Sequence, residues 1–311
     1  MKDLKVIFMG TPDFCVPILE KLNEECNVIG VVTQPDKEVG RKKEIVYSPI
    51  KKKALELGLS VLQPIKIRNE YEDIINLNAD IIITCAYGQI IPEIILNNPK
   101  YGCINVHASL LPKLRGGAPI HKAIIYGYEK TGITIMYMDK GMDTGDMISK
   151  VEVVIEDTDT AETLHDKLQK VSVPLLMDTL PSIINGTNDR VKQEESEVTF
   201  AYNVSREEEH VDFNKTSREV FNHIRGLNSW PGAYATLEDK NIKLWLSKIN
   251  DKKYNEKPGT IVNLDKNGLE VVTSDGSVLI TELQVPGKRK MLVKDFINGV
   301  NKEDYIGKLF N

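Results

Sequence analysis

The run Ala79 to Cys85, centred on Ile81-Ile82-Ile83, constrains the fold most. Successive apolar residues give an extended segment two apolar faces, and such a strand is stable only where both faces are covered. Strands of that kind sit in sheets flanked by helices. The rest of residues 1–150 agrees, because strand-like and helix-like patterns alternate. Leu4 to Met9 reads as a first strand and Val28 to Thr33 as a second. Between them Gly10 turns the chain, and Thr11 is expected to cap a helix with Pro12 at its first position. Phe14, Ile18, Leu19 and Leu22 then recur at helical spacing. The expected class is α/β: a doubly wound, mainly parallel, Rossmann-like sheet. The first turn, Gly10-Thr11-Pro12-Asp13, lacks the GxGxxG pattern, which argues against a bound dinucleotide.

Past residue 150 the pattern changes. A long helix is expected from Thr160 to Ile184, stopped at Asn185-Gly186. Residues 187–207 are polar and read as connecting chain. A helix from Ser217 to Leu227 follows, then short β-like runs at Ala233–Leu237, Ile242–Ile249, Gly259–Asn263, Leu269–Thr273 and Val278–Leu283. Strands so short and so spaced predict a small β-barrel. The expected limits are a catalytic domain at 1–189, a linker at 190–207 and a barrel domain at 208–311. With 311 residues and 41% hydrophobic content the chain can bury one large and one small core.

Composition excludes several classes. No stretch of 18 apolar residues exists, and Met1-Lys2-Asp3-Leu4-Lys5 lacks the design of a signal peptide, so a cytoplasmic protein is expected. Cys15, Cys26, Cys85 and Cys103 form no CxxC pair, which points to buried reduced thiols, with no zinc site or disulfide framework. A net charge of −5 argues against a generally basic nucleic-acid binder. Residues 1–205 carry 23 Lys and Arg against 29 Asp and Glu, whereas 206–311 carry 17 against 16, so a local patch for a polyanion is compatible with the acidic total.

The chemistry concentrates in Asn105, His107 and Asp143. Asn105-Val106-His107 ends the strand-like segment from Gly102, and residues two apart on a strand share a face. Asp143 arrives in the turn Gly141-Met142-Asp143-Thr144-Gly145-Asp146. An amide donor for a developing oxyanion, with a carboxylate beside an imidazole, is what acyl transfer needs. The irregular stretch after His107, with Pro112, Gly116, Gly117 and Pro119, follows a strand and so lies at the carboxyl end of the sheet, where open α/β folds bind ligands.

The blocks Asn-Val-His-Ala-Ser-Leu-Leu-Pro, Arg-Gly-Gly-Ala-Pro-Ile and Gly-Met-Asp-Thr-Gly-Asp resemble the folate-dependent formyltransferase family, and the likeness runs over essentially the whole chain. The resemblance implies transfer of a formyl group from 10-formyltetrahydrofolate to the amino group of the methionine on initiator tRNA, for translation initiation. It implies catalytic roles for Asn105, His107 and Asp143, with His107 held in its tautomer by Asp143 and Asp146 merely shaping the loop. It implies folate contacts from Ser109, Leu110, Leu111 and Pro112 and from the turn Tyr87, Gly88, Gln89 and Ile90. An OB-like barrel, a monomer and no metal are further expectations.

Residues 34–53 form a polar stretch without hydrophobic periodicity, holding seven basic residues against the acidic Asp36, Glu38 and Glu44. A long polar loop at the active edge is uncommon unless functional. The resemblance puts Arg41, Lys42 and Lys43 forward as tRNA-binding residues, with Lys51, Lys52 and Lys53 on the solvent face of a helix opened by Ser48-Pro49. His121, His165, His210 and His223 have no comparable setting and read as packed or solvated. Two alternatives stay open. One is a related formyltransferase acting on a sugar nucleotide or purine precursor, which would use the same catalytic residues. The other is a non-catalytic RNA-binding module, against which the intact Asn105, His107 and Asp143 speak.

Overall fold

The computed structural model describes residues 1–40, 43–250 and 252–311. The strands are β1 Lys5–Gly10, β2 Asn27–Val32, β3 Lys37–Val39, β4 Glu44–Val46, β5 Val61–Leu62, β6 Ile81–Cys85, β7 Cys103–His107, β8 Lys130–Tyr137, β9 Met147–Val154, β10 Ala233–Leu237, β11 Lys240–Asn250, β12 Ile261–Asp265, β13 Gly268–Val272, β14 Ser277–Gln284 and β15 Met291–Leu292. They divide between two compact units. The first comprises 1–119, 131–154 and 165–202, and the second 120–130, 155–164 and 203–311. This division differs from the expected limits, because residues 120–130 and 155–164 cluster with the second unit and 190–202 with the first.

The first unit holds a seven-stranded sheet in the order β5-β2-β1-β6-β7-β8-β9. From β5 to β7 all pairs are parallel, and β8 runs antiparallel to β7. All five residues of β6 are buried, as a central strand led by Ile81-Ile82-Ile83 demands. Ile7, Met9, Val32, Ile82 and Ile95 join one core on that sheet; a fully buried Ile contributes about 1.5–3 kcal/mol. The order reverses beside β1, which has β2 on one side and β6 on the other. The chain therefore leaves β1 and β6 in opposite senses, and their carboxyl ends mark the switch point at which open α/β folds bind ligands.

Local corrections follow from tertiary contacts. Thr11 caps no helix: its hydroxyl donates to the Tyr87 carbonyl, and the α-helix begins only at Val16. Residues 34–53 are not all irregular, because β3 and β4 pair antiparallel, with Gly40 (φ +75°) and Lys43 (φ +52°) supplying left-handed backbone for the reversal. Ser48 does open a helix, Pro49–Glu56, accepting from the Lys51 amide. Lys51, however, turns to Asp36 at 2.6 Å rather than to solvent, and Lys53 pairs with Glu20 and Glu56.

The second unit carries a six-stranded antiparallel sheet, β10-β11-β14-β13-β12 with β15 on β14. Its core takes Leu244, Val271, Ile280 and Ala235 from the sheet and Val220 and Ile224 from the helix Ser217–Gly226. A capping box starts that helix: Thr216 accepts from the Glu219 amide and Glu219 accepts from the Thr216 amide. All four cysteines are free and buried. Among the described residues, no helix is long and apolar enough to cross a membrane.

Candidate active site

The carboxyl ends of β6 and β7 bring the first elements together. The two strands run parallel with Thr84 opposite Asn105. Thr84 Oγ1 lies 2.9 Å from Asn105 Oδ1 and donates to it. With its oxygen engaged, the Asn105 amide keeps Nδ2 as its donor. Two residues on, and on the same face, stands His107, only 6% exposed.

The imidazole is fixed by the chain that follows it. His107 Nε2 sits 3.1 Å from the Leu114 carbonyl oxygen, and a carbonyl can only accept, so Nε2 carries the hydrogen. Nδ1 faces Asp143, with Oδ2 at 3.7 Å. The tautomer is thus held by Leu114, not by Asp143 as the resemblance implied, because the carbonyl is within hydrogen-bond distance and the carboxylate is not. A proton on Nδ1 would turn the Asp143 contact into a charge-assisted one. A gap of this size closes with a movement of under about an ångström.

Asp143 occupies left-handed backbone, φ +55°, and its Oδ2 accepts from the Gly116 amide at 2.9 Å. Its turn is shaped by Asp139, which accepts from the Gly141 amide and the Thr144 hydroxyl. Gly145 is required there, since a Cβ would overlap the Tyr137 carbonyl oxygen of β8. Asp146 pairs with Arg190 at 3.2 Å and makes no contact with His107, in keeping with a shaping role.

The stretch after His107 is braced twice. Thr134 on β8 donates to the Ser109 carbonyl and accepts from the Leu111 amide. Ser109 Oγ donates to the Lys113 carbonyl. Leu111 and Pro112 are buried, and Leu110 is half-buried. Of the turn after β6, Tyr87 points into the core, where burial pushes its hydroxyl up to about 12. The Gln89 side chain accepts from the Ile67 amide and donates to the Pro64 carbonyl. Gly88 (φ +90°) and Ile90 are exposed, Ile90 by 86%. In this turn, then, Gly88, Ile90 and the backbone are what a ligand could touch. Arg41 and Lys42 lie outside the described residues. Lys43 is exposed, 3.5 Å from Glu38.

Residues 4–180 match the family described as formyl transferase, and 203–301 match the formyl transferase C-terminal domain. The chain belongs to the formyl transferase family. Among its relatives, the methionyl-tRNA formyltransferase of Bacillus mycoides is 53% identical over 304 residues, 96% of this chain and 97% of that protein. The methionyl-tRNA formyltransferase of Macrococcus caseolyticus is 52% identical over 309 residues, 99% of each chain. A crystal structure of the N-formyltransferase from Helicobacter canadensis, in complex with folinic acid and dTDP-3-aminofucose, matches with a TM-score of 0.67. That match covers 93% of this chain and 100% of the other at 20% identity, so it speaks to the formyl transferase fold alone.

Several residues of this candidate site escape a reading of the sequence. Thr84 left a signal, as the one polar residue within Ile81–Cys85. Leu114 acts through its carbonyl, which no side-chain pattern reveals. Residues 190–202, expected to be linker, instead pair with the site: Met147 with Val191, and Arg115 and Ala118 with Thr199 and Ala201. Gly116 (φ +120°) permits the last contact, since a Cβ would meet the Ala201 carbonyl oxygen at 2.8 Å.

Proposed function

We propose that this chain transfers a formyl group from 10-formyltetrahydrofolate to the amino group of methionyl-initiator tRNA. The observation that carries the reading is identity above half, over nearly the full length of both chains, with relatives named methionyl-tRNA formyltransferase. The juxtaposition of Asn105, His107 and Asp143 supports the reaction type. In this reading the methionyl amine attacks the formyl carbon, and a C–N bond forms as the carbonyl oxygen becomes an oxyanion. Asn105 Nδ2 and a protonated His107 Nδ1 stabilise that oxygen. Asp143 accepts the surplus amine proton, directly or through water, and the proton passes on to the folate nitrogen as its bond to the formyl carbon breaks. The products are the N-formyl amide and tetrahydrofolate.

Folate would lie against Ser109, Leu110, Leu111 and Pro112 and against the turn Tyr87, Gly88, Gln89 and Ile90, which offers backbone groups and an exposed Ile90. Arg41, Lys42 and Lys43, which in sequence lie between β3 and β4, would hold the acceptor end of the tRNA through its phosphates. Residues 1–189 carry the catalytic, folate and tRNA residues named in this reading.

The deciding experiment incubates the purified chain with 10-formyltetrahydrofolate and methionyl-initiator tRNA, methionyl-elongator tRNA or an amino-sugar nucleotide. Formyl-methionine on the initiator tRNA is expected. Formylation of the amino sugar alone would overturn the reading in favour of a small-substrate enzyme.

A further inference from the structure

Asp143 is held at both of its ends. Its carboxylate accepts from Gly116, while its carbonyl oxygen accepts from Gln193 Nε2 at 2.7 Å. The same Nε2 donates to the Gly145 carbonyl at 2.8 Å, so one side-chain amide spans the turn that carries Asp143. The other end of that amide is also used: Gln193 Oε1 accepts from Arg115 Nε at 3.0 Å. Arg115 is 3% exposed, and its Nη2 is neutralised by Glu195 Oε1 at 2.9 Å. Arg115 immediately precedes Gly116, so the contacts close a ring running from Asp143 through Gln193, Arg115 and Gly116 back to the Asp143 carboxylate.

Such a ring has a chemical rationale. Asp143 carries a Cβ in left-handed backbone, φ +55°, a conformation that a single aspartate adopts where its surroundings hold it there. Its carboxylate stands 3.7 Å from His107 Nδ1, where a shift of an ångström either makes or abolishes the contact. Gln193 suits the position because one group must donate to two carbonyls and accept from a guanidinium. A carboxylate cannot donate, and an ammonium cannot accept.

We propose that Gln193, backed by Arg115, is a positioning residue for Asp143, and that residues 190–202 belong to the catalytic site. The proposal rests on the reading of Asp143 as the proton acceptor in formyl transfer. Gln193→Glu keeps the acceptor for Arg115 but sets a second oxygen against two carbonyls; Gln193→Met removes every contact at similar volume.

The test measures kcat and both KM values of the full chain, in the native and Asp143→Asn backgrounds, with hydrogen exchange alongside. Each Gln193 variant should lower kcat roughly 10- to 100-fold, the scale of an ångström's misplacement. Either KM should change by less than about 3-fold, since neither substrate contact is removed. In the Asp143→Asn background the same substitutions should cost almost nothing more, because there is no carboxylate left to position. The Gly116 amide should exchange faster while Ile81–Cys85 keeps its protection, which also shows that the variant is folded. Native kcat in both variants, an equal further loss in the Asp143→Asn background or unchanged exchange at Gly116 would overturn the proposal. A native chain that does not formylate methionyl-tRNA would refute the functional reading instead, and the exchange measurement would still decide the positioning.

Discussion

His223 should make the stability of the second unit depend on pH in a window set by its burial. The imidazole lies on the helix Ser217–Gly226, its Nε2 buried without a hydrogen-bond partner. Burial, reinforced by Lys215, pushes it from 6.5 down to about 4. Above pH 6.5 both folded and unfolded chains hold it neutral, so it contributes no pH dependence. As pH falls through 6.5 the unfolded chain takes up a proton that the folded chain refuses, and stability declines until the folded imidazole also titrates near 4. Linkage over this interval amounts to about 3 kcal/mol in total, of which about 2 kcal/mol is lost between pH 7.5 and 5. Both tryptophans, Trp230 and Trp245, belong to the same unit, so their fluorescence during urea unfolding reports its stability. His223→Phe fills similar volume without a titrating group and should flatten the window by about 2 kcal/mol, whatever its own stability at pH 7.5. Carboxylates such as Asp275 and Glu219, held low by hydrogen bonds from Ser217 and Thr216, add acid sensitivity of their own, but equally in both proteins. Parallel loss of stability in native chain and variant between pH 7.5 and 5 would refute the reasoning.

Other outcomes follow from the site. Asn105→Ala and Asp143→Asn should each cut formyl-methionine turnover about 100-fold or more with saturating substrates; Thr84→Val, which frees the Asn105 oxygen, should cost about 10-fold by loss of orientation alone. Leu111 is 1% exposed, so Leu111→Asp should collapse thermal stability rather than weaken folate selectively, whereas Ile90→Asp should raise the KM for folate and leave the melting temperature unchanged. Replacing Arg41, Lys42 and Lys43 by Ala should lower the salt slope of tRNA binding by somewhat under 1 per lost phosphate contact and leave folate binding untouched; a native slope in filter binding would mark the hairpin as plain surface.

Much of this protein follows from local pattern. The apolar Ile81–Ile83 run could be stable only between two layers, so it led directly to the parallel sheet. Short β-like runs beyond residue 232 became strands at nearly the expected limits, because strand-forming residues and the turns between them are written locally. Asn105 and His107 share a face by the same rule, which needs no partner to be known.

What depends on atoms distant in sequence could not be read this way. Thr11 looks like a helix cap, yet the Tyr87 carbonyl claims its hydroxyl from across the sheet. Tyr87 and Gln89 look available to a ligand, yet one completes the core and the other pins residues 64–67. The tautomer of His107 is set by a backbone carbonyl, and the place of Asp143 by a glutamine fifty positions later in a stretch that composition marks as linker. Hydrophobic burial repeats with the period of an element and so leaves a trace in sequence. A hydrogen bond between remote polar groups has no period, and only the folded chain decides which donor meets which acceptor.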